Sequence, residues 1–251
     1  MKIFGVKIPM MYSLLIWVVL WEIVGQMEMF LVIPPFSGIV VAIIEMAQAE
    51  NFHDAASLSL YSFAMGMLIS IIVGIPLGLV MGKIPAADRL LGMWVNVFLS
   101  APLSSLVPII MILFGFGQTT IIVTVFMFAV WIITLDTCAG VKHINPSLLE
   151  MGESFGASSW QMYSKILIWA VLPEILAGLR LGLIRGVKGV IIGQLLVALI
   201  GMGELLTVYS RGFHMEEFWA LILFLFAFAL GTSWLISLLE RRIEYYAGSR
   251  G

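Results

Sequence analysis

The chain has 251 residues, of which 61% are hydrophobic and 11% charged, whereas a soluble domain carries roughly 25% charged residues. With 24 glycines, 16 phenylalanines and 8 tryptophans, this composition excludes a water-soluble globule and fits a polytopic membrane protein, where glycine and interfacial tryptophan are frequent. Thirteen Lys and Arg against fifteen Asp and Glu give a formal net charge of -2, so no basic field exists to hold nucleic acid. One cysteine, Cys138, and three scattered histidines, His53, His143 and His214, exclude a disulfide framework and an HExxH-type metal centre.

A bilayer core about 30 Å thick takes roughly 20 mostly apolar residues of helix, so stretches free of Lys, Arg, Asp and Glu measure the crossings. The first span runs over 8–26, with Glu22 near its outer end. Lys2 and Lys7 before it would also suit a secretory leader, but no A-x-A site follows and the chain continues into Ile33-Pro34-Pro35, so a retained span is expected. Residues 38–49 read as a short helix along the interface. The 28 uncharged residues of 55–82 place a second span over 58–81. The 46 uncharged residues of 90–135 suffice for two crossings, 92–113 and 119–139, parted by the turn signal Gly115-Phe116-Gly117-Gln118. Only 15 uncharged residues fill 189–203, so a fifth span over 179–200 has to include Lys188 and Arg185. The last, 218–239, lies in a stretch of 22 uncharged residues. The expected fold is an all-α membrane protein, a single domain over 1–251 with six transmembrane helices.

Orientation follows from the rule that short cytoplasmic loops carry excess Lys and Arg. With the N-terminus inside, Lys2, Lys7, Lys83, Arg89, Lys142, Lys165, Arg180, Arg241, Arg242 and Arg250 fall at the cytoplasmic edge, and Arg211 outside. Glu28, Glu45, Glu50 and Asp54 then lie outside, and both termini are cytoplasmic.

The cytoplasmic loop 140–173 between the fourth and fifth spans is the most informative segment. Asn145-Pro146 supplies a helix N-cap followed by proline at the first position, and Ser147 and Glu150 have capping-box spacing. Gly156 permits a left-handed stop, and Ser158 can cap a second short helix through Trp160, Met162, Tyr163, Ile166 and Ile168. Two short helices on the basic face form a projection suited to docking another protein.

The run Glu150-Met151-Gly152, three residues, Gly156, then nine residues to Ile166, with Leu172-Pro173 beyond, resembles the EAA loop of binding-protein-dependent ABC importer permeases. Gly156-Ala157-Ser158-Ser159-Trp160-Gln161, Gly178-Leu179-Arg180-Leu181-Gly182-Leu183, Gly201-Met202-Gly203 and Leu239-Glu240-Arg241-Arg242 are similar to the branch that handles nitrate, sulfonates, taurine and bicarbonate. Ile33-Pro34-Pro35, Gly74-Ile75-Pro76-Leu77-Gly78 and Leu113-Phe114-Gly115-Phe116-Gly117 fit the same branch. Met151 and Gly152 stand where the pattern has two alanines, Trp169 where it has proline, and Gln194 where the branch usually has glutamate.

This resemblance implies a type I permease subunit in a prokaryotic inner membrane, with a small, anionic solute passing along its helices. It implies a second permease copy, a cytoplasmic ATPase dimer carrying ATP and magnesium, and an extracytoplasmic binding protein. The ATPase would couple through Glu150, Met151, Gly152, Gly156, Ala157 and Ser158. No cofactor and no catalytic residue is expected in the chain itself, which contains no G-x-x-x-x-G-K-[ST] phosphate loop.

Glycines at 178, 182, 186, 189 and 193 leave one face of the fifth span bare for helix packing. Arg185 beside that face needs an anionic partner. Asp136 would serve structurally, and a passing anion functionally, with Lys188 and Gln194 as further pathway candidates. The alternative is an ion-coupled secondary transporter or channel without an ATPase, against which stands the lack of an acidic residue deep in a span.

Overall fold

The computed structural model describes residues 2–3, 6–7, 10–28, 30–197 and 200–247. The start of the first expected span at 8 and 9, residues 198 and 199 of the fifth, and Arg250 lie outside them. Lys2–Ile3 and Val6–Lys7 form a two-residue antiparallel pair; the other regular elements are helices. These are α1 (Met10–Gln26), α2 (Phe36–Met46), α3 (Glu50–Lys83), α4 (Pro85–Ser100), α5 (Val107–Phe114), α6 (Gln118–Lys142), α7 (Pro146–Ser154), α8 (Ser159–Gln161), α9 (Ile168–Val197), α10 (Gly201–Arg211) and α11 (Met215–Ala247). A 3-10 turn, Leu103–Leu106, precedes α5, and a π-helical turn, Met162–Leu167, joins α8 to α9 without a break.

Among the described residues, four helices are long and apolar enough to cross a bilayer: α3, α6, the continuous Ser159–Val197 helix and Met215–Leu235 of α11. The 34 residues of α3 extend about 51 Å, longer than a core of about 30 Å requires. The 92–113 segment departs from the straight span expected there. It is a bent pair, α4 and the Leu103–Phe114 helix meeting at 96°, which makes a fifth crossing only if the pair counts as one. The break falls at Ala101-Pro102, where proline has no N–H for the helical ladder. Alpha-1 is apolar but shorter than a full span, and its Leu14, Leu15, Ile16, Trp17 and Leu20 are exposed.

Three helices make the centre. A Cβ on Gly66 would meet Val125, one on Gly74 would meet Ile133, and one on Gly78 would meet Thr134 and Thr137. Both numbers rise together, so α3 and α6 run parallel. On α9 the partners fall as the numbers rise: Gly178 against Asp136, Gly182 against Ile133, Gly189 against Val125. Alpha-9 is therefore antiparallel to α6, and the glycine stripe lets the backbones approach closely. Ile121, Val125, Ala129 and Ile133 of α6 are completely buried in this seam. Two of its threonines are satisfied there by back-bonding, Thr124 Oγ1 donating to the Thr120 carbonyl at 2.7 Å and Thr134 Oγ1 to Val130 at 2.9 Å, while Thr137 Oγ1 is buried without a hydrogen-bond partner.

The seam connects two differently built ends. At one, α2, α10 and the first turns of α3 and α11 share a cluster containing Ile39, Met46, Phe52, Met202, Leu206 and Leu221. The α2 helix, expected along the interface, thus packs its Ile39, Ala42 and Met46 face into the protein while Val41 and Ile44 stay exposed. The α10 helix arises where only a loop was expected. At the other end, Ile144, Leu167, Val171 and Ile175 pack with Leu149 and Tyr163 beneath the 140–173 segment.

Candidate functional site

The 146–168 module is built by its caps. Asn145 Oδ1 accepts from the Ser147 amide at 3.0 Å and from its hydroxyl at 2.9 Å, with Pro146 at the first helical position. Asn145 thus caps α7, and the Ser147/Glu150 capping box suggested by spacing does not form. The helix stops in a Schellman turn: Gly156 N–H donates to Glu153 at 2.9 Å and Ala157 N–H to Gly152 at 3.0 Å. Gly156 sits at φ +70°, a conformation natural to glycine and foreign to β-branched residues. Ser158 then opens α8 with a reciprocal box, its hydroxyl accepting from Gln161 N–H at 3.3 Å while Gln161 Oε1 accepts from Ser158 N–H at 2.9 Å. The second helix expected here is the beginning of the long Ser159–Val197 helix rather than a separate piece.

The turn sorts the expected coupling residues onto two sides. Gly152 is buried, and a Cβ there would meet Ile166 and Met162 at 2.6 and 2.8 Å, so the glycine in place of alanine seats α7 against the π-turn. Ala157 is half-buried; Glu150, Met151, Gly156 and Ser158 are exposed. Phe155 at 85% and Trp160 at 78% exposure flank the turn. The sequence places Trp160 along the second short helix without giving its direction. The outward direction of both aromatics depends on the phase that the Schellman turn sets.

The pathway candidates separate. Arg185 is half-buried beside the glycine stripe, and Lys188 is exposed. Asp136 lies against Gly178, and its Oδ2 is buried without a hydrogen-bond partner. Gln194 is buried, and its Nε2 donates to Ser59 Oγ at 2.6 Å. Ser59 in turn donates to the Ala55 carbonyl at 2.7 Å and accepts from Met202 N–H at 3.3 Å. The amide braces α9, α3 and α10 together, so Gln194 is not placed beside Arg185 on an open face.

A cavity of about 350 Å³ lies at the basic end between α3, α4 and α6, lined by residues including Met81, Asp88, Val95, Cys138 and Lys142. Lys142 Nζ is 2.7 Å from Asp88 Oδ2, tying the last turn of α6 to the first turn of α4. Cys138 is buried, and its thiol donates weakly to Asp88 Oδ1 at 3.7 Å. Among the described residues no group of three His, Cys, Asp or Glu could hold a metal ion.

The comparisons with known proteins agree with this arrangement. Residues 74–245 match the family described as binding-protein-dependent transport system inner membrane component. The taurine transport system permease of Escherichia coli K12 is 26% identical over 198 residues, 76% of this chain and 72% of that protein. The glycine betaine/carnitine/choline permease of Bacillus subtilis 168 is 29% identical over 178 residues, 69% and 72%. An inward-facing structure of the MetNI methionine ABC transporter aligns with TM-score 0.62 at 19% identity, covering 77% of this chain and 94% of that one, which shows the fold.

Proposed function

This chain belongs to the family of binding-protein-dependent transport system inner membrane components, and we propose that it forms, with a second copy of itself, the membrane path of an importer driven by a separate cytoplasmic ATPase dimer. The family makes it an ABC importer permease subunit, a transporter component of a multi-pass membrane protein. The observation that carries the ATPase-docking reading is the 146–168 module, where two capped helices joined at Gly156 present Glu150, Met151, Phe155 and Trp160 outward. ATP and magnesium belong to the partner. All six apolar segments cross in this reading, with α1 and the bent pair as the first and third. The basic end carrying the module faces the cytoplasm of a prokaryotic cell. The opposite end receives solute from an extracytoplasmic binding protein.

The proposed solute is a small anion or sulfonate. The taurine permease among the relatives and the half-buried Arg185 beside the seam support this, because a guanidinium recognises oxyanions in a fork that an ammonium lacks. Lys188 contributes positive charge from the neighbouring exposed position, and Gln194 serves as a brace. A cysteine replacing Ala157, in a Cys138→Ser background, tests the arrangement. It should react with impermeant thiol reagents only from the cytoplasmic side and cross-link to the ATPase. Labelling from outside intact cells would overturn the orientation. Arg185→Gln should abolish taurine uptake while leaving assembly intact; normal uptake would remove the anion role.

A further inference from the structure

The docking module is joined covalently to the membrane core at both ends, to α6 through residues 143–145 and to α9 through α8. The connection from α8 into α9 passes two soft points. One is the π-turn Met162–Leu167, whose wider hydrogen-bonding is uncommon and recurs at functional sites. The other is Pro173 inside α9, which removes a ladder hydrogen bond one turn below. A push carried along α8 is therefore partly absorbed before it reaches the glycine stripe of α9.

Non-covalent contacts also reach α3, because Ile75 and Leu79 pack in the apolar cluster that holds Ile144, Leu149 and Tyr163, and a polar contact is added to them. Lys83, the last residue of α3, places its ammonium 4.0 Å from the centroid of the Tyr163 ring, which belongs to the π-turn itself. Tyr163 is half-buried and packs with Ile144, Leu167 and Val171 under the module. Lys83 adjoins Gly82, whose absent Cβ leaves room for Val141 and the Cys138 carbonyl of α6. Movement of the π-turn thus has a direct grip on α3 at the point where α3 enters its tight contact with α6.

We propose that the Lys83–Tyr163 cation–π contact is a positioning element of energy coupling, which transmits displacement of the docking module to α3 and so to the central seam. This rests on the ATP-driven reading above. A cation over an aromatic face at a partly exposed site is worth a factor of about 2–5, and an effect of that size is expected in the ratio of solute moved to ATP hydrolysed.

The test uses the complete transporter, permease with ATPase and binding protein, in proteoliposomes, with taurine as the transported probe and phosphate release measured in parallel. Tyr163→Leu and Lys83→Met should each lower taurine moved per ATP about 2–5-fold, with ATPase rates retained. The double variant should lose no more than either single one. Tyr163→Phe and Lys83→Arg, which keep ring and cation, should stay near the parent ratio. An unchanged ratio in both disrupting variants, strictly additive losses, or Lys83→Arg behaving as Lys83→Met would each overturn the proposal. If the parent complex moves taurine without ATP, the ATP-driven reading fails before any variant is compared.

Discussion

The two ends of the molecule solve different problems with the same helices. The α2/α10 end exposes Glu28, Glu45, Glu50, Asp54, Glu204 and Glu216 around Arg211. Beneath that acidic rim, α10 is locked in place by backbone fit, since a Cβ at Gly203 would overlap the Gln194 carbonyl. The opposite end exposes Lys83, Arg89, Lys142 and Lys165 and holds its module through caps, a π-turn, the apolar cluster of Ile144, Leu167, Val171 and Ile175, and single polar contacts. The acidic end is seated by close backbone fit, whereas the basic end adds a left-handed turn and a π-turn to its apolar cluster. That is the division expected of a permease whose driving force is delivered at one end.

The largest effect that would sharpen this contrast is at the turn. Gly156→Val forces a β-branched residue to φ +70°, and taurine uptake should be abolished with normal membrane levels. Gly156→Asn, whose side chain tolerates that region, should retain much of it. Full uptake by the valine variant would show that the turn is not needed.

At the acidic end the expected losses are of stability. Gly203→Ala should lower stability by about 1–3 kcal/mol, because the neighbour that must yield is backbone and the core is overpacked; thermal melting of purified protein measures it. Gln194→Ala should cost about 1–3 kcal/mol by stranding a buried polar partner. Its uptake should fall only in proportion to folded protein. A change in solute preference would instead return Gln194 to the pathway.

The smallest effect is at the basic end. Lys142→Met breaks the 2.7 Å pair with Asp88, whose side chains are 45% and 32% exposed, and should cost less than about 1 kcal/mol. A melting shift comparable to that of Gly203→Ala would contradict the view that this exposed pair adds little.

Much of the architecture was readable because membrane helices write their positions as gaps in charge. Helices α3, α6 and α11 cover the expected 58–81, 119–139 and 218–239 stretches. That measure registers polarity and not backbone hydrogen bonds, so it missed the break at Ala101-Pro102 inside an uncharged run. It also missed α10, which buries Met202, Leu205 and Leu206 while exposing Glu204 and Arg211; an amphipathic helix of that length leaves no charge gap. In the 146–168 module the caps at Asn145 and Ser158 and the stop at Gly156 were legible, being local chemistry. The outward turn of Phe155 and Trp160 was not, and neither was the contact of Lys83 with Tyr163, which joins residues far apart in the chain.

The central claim is that ATP hydrolysed by a partner drives movement through this chain from the 146–168 module. The most direct measurement is taurine uptake into proteoliposomes holding the whole transporter, with ATP and with ion gradients varied separately. Uptake should require ATP and magnesium on the module's side, persist when proton and sodium gradients are collapsed, and vanish with Gly156→Val. Uptake sustained by an ion gradient without ATP would contradict the account.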